Sequence, residues 1–241
     1  ADSYLRLMDY FKPTFYLGMT ASPDRTDSFN IYELFNNNIV YEVRLKEAME
    51  NSLLCPFHYF GISDLEVDGK VIDELSEFSN LVSNKRVEHI ISKINYYGYS
   101  GDRVKGLVFC SSKQEAKVLS EEFNIRGYNT TSLTGEDSQE CREQEIAKLV
   151  ANDGDMLDYI FTVDIFNEGV DIPEVNQVIM LRPTQSSIIF IQQLGRGLRK
   201  SADKEFVVII DFIANYKNNF LIPVALSGDN SYDKDTVRKF L

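Results

Sequence analysis

From Asn84 onward the chain alternates helical and strand patterns, and the strands are short, with nearly unbroken apolar runs at 106–110 and 206–210. A strand that is apolar at every position has no solvent face, which is the mark of a parallel sheet covered on both sides. The strands are 106–110, 128–133, 157–163, 175–181 and 206–210. Between them stand helical patterns. Residues 84–97 place Val87, Ile90, Ile91 and Ile94 on one face, and 113–123 turn Ala116, Leu119 and Phe123 inward. Further helices are predicted at 138–151 and 185–195. The alternation defines the class as α/β, a parallel sheet with helices on both faces.

The first eighty residues are less regular. Residues 1–12 form an amphipathic pattern with Tyr4, Leu5, Leu7, Met8 and Phe11 as apolar positions. The run 15–19 reads as a short buried parallel strand, ending at Thr20-Ala21-Ser22-Pro23, where a hydroxyl before proline also suits a helix start. One helix and one buried strand lack neighbours, so this beginning is expected to be the tail of an earlier domain. Residues 26–52 read as a linker, with a strand at 39–41 and a helical turn at 45–50. Residues 53–62 read as a strand with Pro56 near its start. The acidic stretch 64–83 carries a short helix around 72–81, and 215–241 shows no strong periodicity.

Net charge is −12 over 241 residues. That balance argues against a surface that coats nucleic acid as a whole, while leaving room for a local basic groove. Cys55, Cys110 and Cys141 are odd in number and far apart, with no metal-ligand spacing, which suits a reducing, cytoplasmic setting. His58 and His89 are the two histidines, so a histidine-based metal site is not expected. No apolar run approaches the roughly 20 residues of a membrane span.

Polar residues recur where the apolar strands end, and ligands of such sheets lie at the carboxyl ends of strands. Ser111-Ser112-Lys113 follow the strand at 106–110; they read either as a plain N-cap or as a helix start whose N–H groups hold a phosphate. Thr134-Gly135-Glu136-Asp137 follow the strand at 128–133. Asp164 to Pro173 follow the strand at 157–163, either as a helical turn stopped by Gly169 or as a nucleotide-contacting turn with Asp171 accepting from a ribose hydroxyl. Gln192-Gln193-Leu194-Gly195-Arg196-Gly197-Leu198-Arg199 closes the 185–195 helix. Arg196 and Arg199, three apart, share a helix face. They are either a solvated basic end or a guanidinium pair suited to a transferring phosphoryl group. No Gly-x-x-x-x-Gly-Lys-Ser/Thr sequence occurs, and no Asp-Glu pair ends an apolar strand.

Four segments in order resemble motifs of superfamily-2 helicases: Thr20–Pro23 motif III, Leu107–Ser112 motif IV, Glu168–Pro173 motif V and Gln192–Arg199 motif VI. The resemblance reaches to about residue 215 and is closest to DEAD/DEAH-type helicases related to restriction translocases and excision-repair helicases. It implies two RecA-like lobes with ATP between them. On that basis residues 1–45 are the end of the first lobe with its linker, 46–215 the second RecA-like lobe, and 216–241 a tail or further domain. It also implies that Arg196 and Arg199 face the γ-phosphate, with Arg199 the arginine finger, and that Gln192 senses the nucleotide. Gly169 and Asp171 contact the nucleotide, Thr20 and Ser22 couple hydrolysis to lobe movement, and Ser111 and Thr134 lie near the nucleic-acid backbone. The implied cofactors are ATP and Mg2+, the metal held by the first lobe. The implied partners are DNA, with RNA left open, and the first lobe of the same parent chain, with no membrane. One departure stands out: Val163 occupies the place where the family often has Thr or Ser, and Thr162 sits one residue earlier. With no phosphate-cradling loop, the chain alone is expected not to hydrolyse ATP. The competing expectation is a non-catalytic nucleic-acid or protein-binding module that retains the fold.

Overall fold

The computed structural model describes residues 2–11, 13–20, 30–43, 45–63, 65–67, 70–71, 82–163, 172–182 and 198–213. The chain divides into two compact units, Ala1–Arg44 and Leu45–Leu241.

In the first unit, helix α1 (Asp2–Tyr10) is followed by a 3-10 turn at Ile31–Phe35. Asn30 starts that turn by accepting the Tyr32 N–H, and the Tyr16 hydroxyl donates to the carbonyls of Met8 and Phe11. The strands expected at 15–19 and 39–41 do not form. Both segments are irregular, and Phe15 and Met19 are 73% and 89% exposed. A strand's N–H and C=O groups need a ladder partner, and the described residues of this unit contain no strand to supply one.

The second unit opens with the short helix α2 (Leu45–Glu50) and strand β1 (Phe57–Ser63). A two-stranded antiparallel ribbon follows, β2 (Glu66–Val67) with β3 (Lys70–Val71). Then come α3 (Asn84–Tyr97), β4 (Gly106–Phe109), α4 (Lys113–Ile125), β5 (Thr130–Leu133) and α5 (Gln139–Val150). The last described strands are β6 (Tyr159–Thr162), β7 (Gln177–Met180) and β8 (Val207–Ile213). The main sheet has six strands in the order β1-β8-β7-β4-β6-β5, and every pairing is parallel. This is a RecA-like parallel sheet with helices on both faces. The expected elements at 72–81, 185–195 and 215–241 lie outside the described residues.

Alternate residues of each strand feed two cores. Leu107, Phe109, Ile160, Val178 and Ile209 join Leu149 of α5 on one face. Val108, Phe161, Ile179 and Ile210 join Val87 and Ile90 of α3 and Leu119 and Phe123 of α4 on the other. Serines set the helix starts, Ser83, Ser112 and Ser138 each accepting an N–H three residues on. Gly106 is required where it stands, because a Cβ there would lie 2.2 Å from the Tyr159 ring.

Two arginines tie elements together, one buried and one half-buried. Arg86 is buried on α3 and donates to Glu115 of α4 at 2.8 Å, with both side chains almost wholly hidden. The second Glu115 oxygen accepts the Ser111 N–H at 2.7 Å, so the carboxylate also fixes the turn that leaves β4. Arg103 donates to the carbonyls of Leu149, Ala151, Val104 and Leu157, closing the carboxyl end of α5. Removing one member of a buried pair strands the other charge. Glu115→Ala is therefore expected to lower the unfolding free energy by about 3–5 kcal/mol in urea titration. Arg86→Met combined with Glu115→Leu is expected to lose less than the single variant.

Candidate nucleotide and nucleic-acid surfaces

Because all six strands are parallel, their carboxyl ends share one edge. At the end of β4, Cys110 is fully buried, and desolvation followed by the nearby Glu115 charge pushes its thiol well above the ordinary range. That thiol is inert at neutral pH. Ser111 comes next. Its N–H is taken by Glu115, and its hydroxyl is buried without a hydrogen-bonding partner. Ser112 is the cap of α4, its Oγ accepting the Glu115 N–H at 3.1 Å. Two of the donors at this helix start are thus satisfied internally, and the Ser111 hydroxyl is buried beside them.

Two strands away, Thr134 follows β5. Its N–H and hydroxyl both donate to Asp137, at 2.6 and 3.1 Å, and its carbonyl accepts from Arg142. The loop is therefore pre-set, and Thr134 is half-buried within it. Lys113 and Glu136 join the loops after β4 and β5 through an exposed ion pair of 2.6 Å, which contributes little stability. Between them, Thr162 ends β6 with its hydroxyl fully buried and without a partner. The displaced hydroxyl noted in the sequence is thus covered by the fold.

Arg199 lies at the opposite edge. Leu198 is buried in the core, and its carbonyl accepts the Cys55 N–H at 2.7 Å, two residues before β1 begins. The Pro56 carbonyl accepts from Val207 at the start of β8. These bonds place the exposed Arg199 beside the amino ends of β1 and β8. The structure therefore does not bring Arg199 together with Ser111 and Thr134. Thr20 is exposed in the first unit. Gln192, Arg196, Gly169, Asp171 and Ser22 lie outside the described residues.

At the amino edge Arg199 is exposed, and at the carboxyl edge two donors of the α4 start are engaged within the protein. Among the described residues no cluster of His, Cys, Asp or Glu is able to hold a metal ion. Among them also, no helix is long and apolar enough to cross a membrane.

The six-stranded parallel sheet with helices on both faces is the fold of the structures most like it in the comparisons that follow. Residues 85–201 match the helicase conserved C-terminal domain, and the chain is similar to superfamily-2 helicases. The chain is 28% identical over 245 residues to IRC3 of Saccharomyces cerevisiae, a protein named as an ATP-dependent helicase; the alignment covers 97% of this chain and 35% of that protein. It is 24% identical over 241 residues to the type I restriction enzyme EcoAI endonuclease subunit of Escherichia coli, covering 88% of this chain and 29% of the relative. Among solved structures, a fragment named as the HsdR subunit of a type I restriction enzyme from Vibrio vulnificus YJ016 superposes with a TM-score of 0.71 at 22% identity, covering 93% of this chain and 44% of that one. The chain spans less than half the length of these relatives.

Two features of the site region went unread in the sequence. The Ser112-x-x-Glu115 spacing is a capping-box signature and marks Glu115 as a local organiser. Asp211 is an acid inside an otherwise apolar strand. It is buried in β8 and accepts from the Tyr59 hydroxyl at 2.7 Å. Desolvation raises its pKa from 3.8 to about 6, against the lowering effect of the Tyr59 bond. The folded state then holds the proton more tightly than the unfolded state, so stability falls as pH rises through that interval and stays lowered above it. Asp211→Asn is expected to raise the unfolding free energy at pH 7 by on the order of 2–3 kcal/mol. It should also flatten the dependence between those two pKa values, as read by denaturation across pH.

Proposed function

We propose that this chain supplies the second motor lobe of a nucleic-acid-dependent ATPase that translocates on or unwinds DNA. The observation that carries the reading is an exposed Arg199 on a lobe that matches the helicase conserved C-terminal domain and whose sequence has no phosphate-cradling loop of its own. Arg199, with Arg196 three residues earlier, faces the γ-phosphate of ATP held by a first RecA-like lobe. Mg2+ is held there too. Gly169 and Asp171 contact the nucleotide, and Gln192 senses its state. The bound triphosphate supplies the reactive phosphoryl group. The part of this chain is to present fixed positive charge to it, which is the main contribution a protein makes in phosphoryl transfer.

Ser111 and Thr134 take the other edge and meet the nucleic-acid backbone. Hydroxyls and loop N–H groups position a strand without reading its sequence. DNA is favoured by the likeness to a restriction-enzyme subunit. Thr20 and Ser22 couple hydrolysis to lobe movement. The free state of all three cysteines suits a reducing, cytoplasmic setting.

In the parent protein, Arg199→Ala is expected to lower DNA-stimulated ATP turnover by about 10³–10⁵ while leaving the fold intact by circular dichroism. Wild-type turnover in that variant refutes the role. Absence of any nucleic-acid-stimulated turnover in the parent itself favours a non-catalytic binding module. The 241-residue chain alone is expected to show no ATPase above buffer, in a phosphate-release assay.

A further inference from the structure

A cavity of about 310 Å³ opens at the amino edge of the sheet, where α3 ends and β4, β5 and β6 begin. Its walls include Tyr99, Tyr128 and Tyr159, together with Asn95 and Asp158. We propose that it binds a planar organic cation of the guanidinium class, seated on the tyrosine rings and paired with Asp158.

The walls are set in advance. The Tyr128 hydroxyl and the Asn95 amide exchange hydrogen bonds at 3.2 and 3.3 Å, and the Tyr128 ring meets Tyr159 edge-on at 5.9 Å. Tyr159 is fixed by its hydroxyl bond to Gln177 at 2.7 Å. Tyr99 is 42% exposed and supplies a ring at the mouth. Gly98 and Gly127 line the cavity at positive φ, and an added Cβ at either would face open space.

The charge is set as well. One Asp158 oxygen accepts the Asn129 N–H at 2.8 Å, and among the described residues no cation pairs with the carboxylate. Arg103 feels the Asp158 charge, but its own donors go to the carbonyls of Leu149, Ala151, Val104 and Leu157. The carboxyl end of α3 adds a partial negative charge at the same place. Among the described residues no lysine or arginine lines the cavity, so none of them offers a phosphate a partner there. Aromatic faces beside a carboxylate attract a cation, and the volume exceeds what a bare ammonium fills. A flat guanidinium with an aliphatic stem matches both rings and charge.

The test is a titration of the 15N-labelled chain with N-acetyl-arginine amide, against the neutral isostere N-acetyl-citrulline amide. The arginine probe is expected to shift the amides of Gly98, Tyr99, Gly127 and Asn129, with citrulline at least about tenfold weaker. Asp158→Asn keeps an acceptor for the Asn129 N–H and is expected to lose a similar factor, and Tyr99→Ala also weakens binding. An arginine-containing tripeptide that binds tighter and shifts further residues along α3 assigns the cation to a polypeptide. Equal binding assigns it to a free small molecule. Citrulline binding as well as arginine, an unchanged Asp158→Asn, or no shift at the cavity overturns the proposal.

Discussion

Strand β4 is hydrogen-bonded on both sides, to β6 and to β7, and every one of its residues is buried. A strand with solvent on neither face nor either edge has to be short and apolar, and β6 and β7 beside it are buried throughout in the same way. This constraint moves most polar chemistry to the two ends of the strands, Asp211 inside β8 being an exception. The first residue past the last ladder bond becomes the first able to carry a hydroxyl or a charge outward. Ser112 and Thr134 stand just past the strands at one edge, and Asp158, just ahead of β6, at the other.

The two edges are not electrically alike. At the amino edge, Arg103, Lys105 and Lys204 are used up inside the protein. They donate to backbone carbonyls at Leu149, Val150 and Val175 among others. Cationic side chains there hold the ends of elements together, so counting basic residues in the sequence overstates the positive surface. Arg199, at the same edge, is exposed.

Much of the sheet was legible in the sequence because apolar runs have one common cause, burial on both faces, as in β4 and β8; β5, Thr-Thr-Ser-Leu, was read from its place between two helical patterns. The first forty residues were not. The run at 15–19 is as apolar as β4, but it has no ladder in its own unit, and composition carries no information about neighbours. Of the site residues, the position of Ser112 as a cap followed from its place before a helix. The opposition of Arg199 and Ser111 across the sheet did not, since it depends on the Leu198–Cys55 bond between residues remote in sequence. The burial of Glu115 was hidden for the same reason: a glutamate on a helix reads as solvent-facing until the Arg86 that meets it is known.

Strand order carries one more consequence. Among the described strands β1 pairs with β8 alone, Phe57 beside Val207, although one is the first strand of the sheet in the chain and the other the last. The strands β4 to β7 adjoin one another in space and are complete before β8 is made. On a ribosome, a nascent chain assembles that inner sheet first, while the segment around Phe57 waits without a mate for most of the lobe's synthesis. Closure of the sheet is thus its final act, and it costs the longest loop in the lobe.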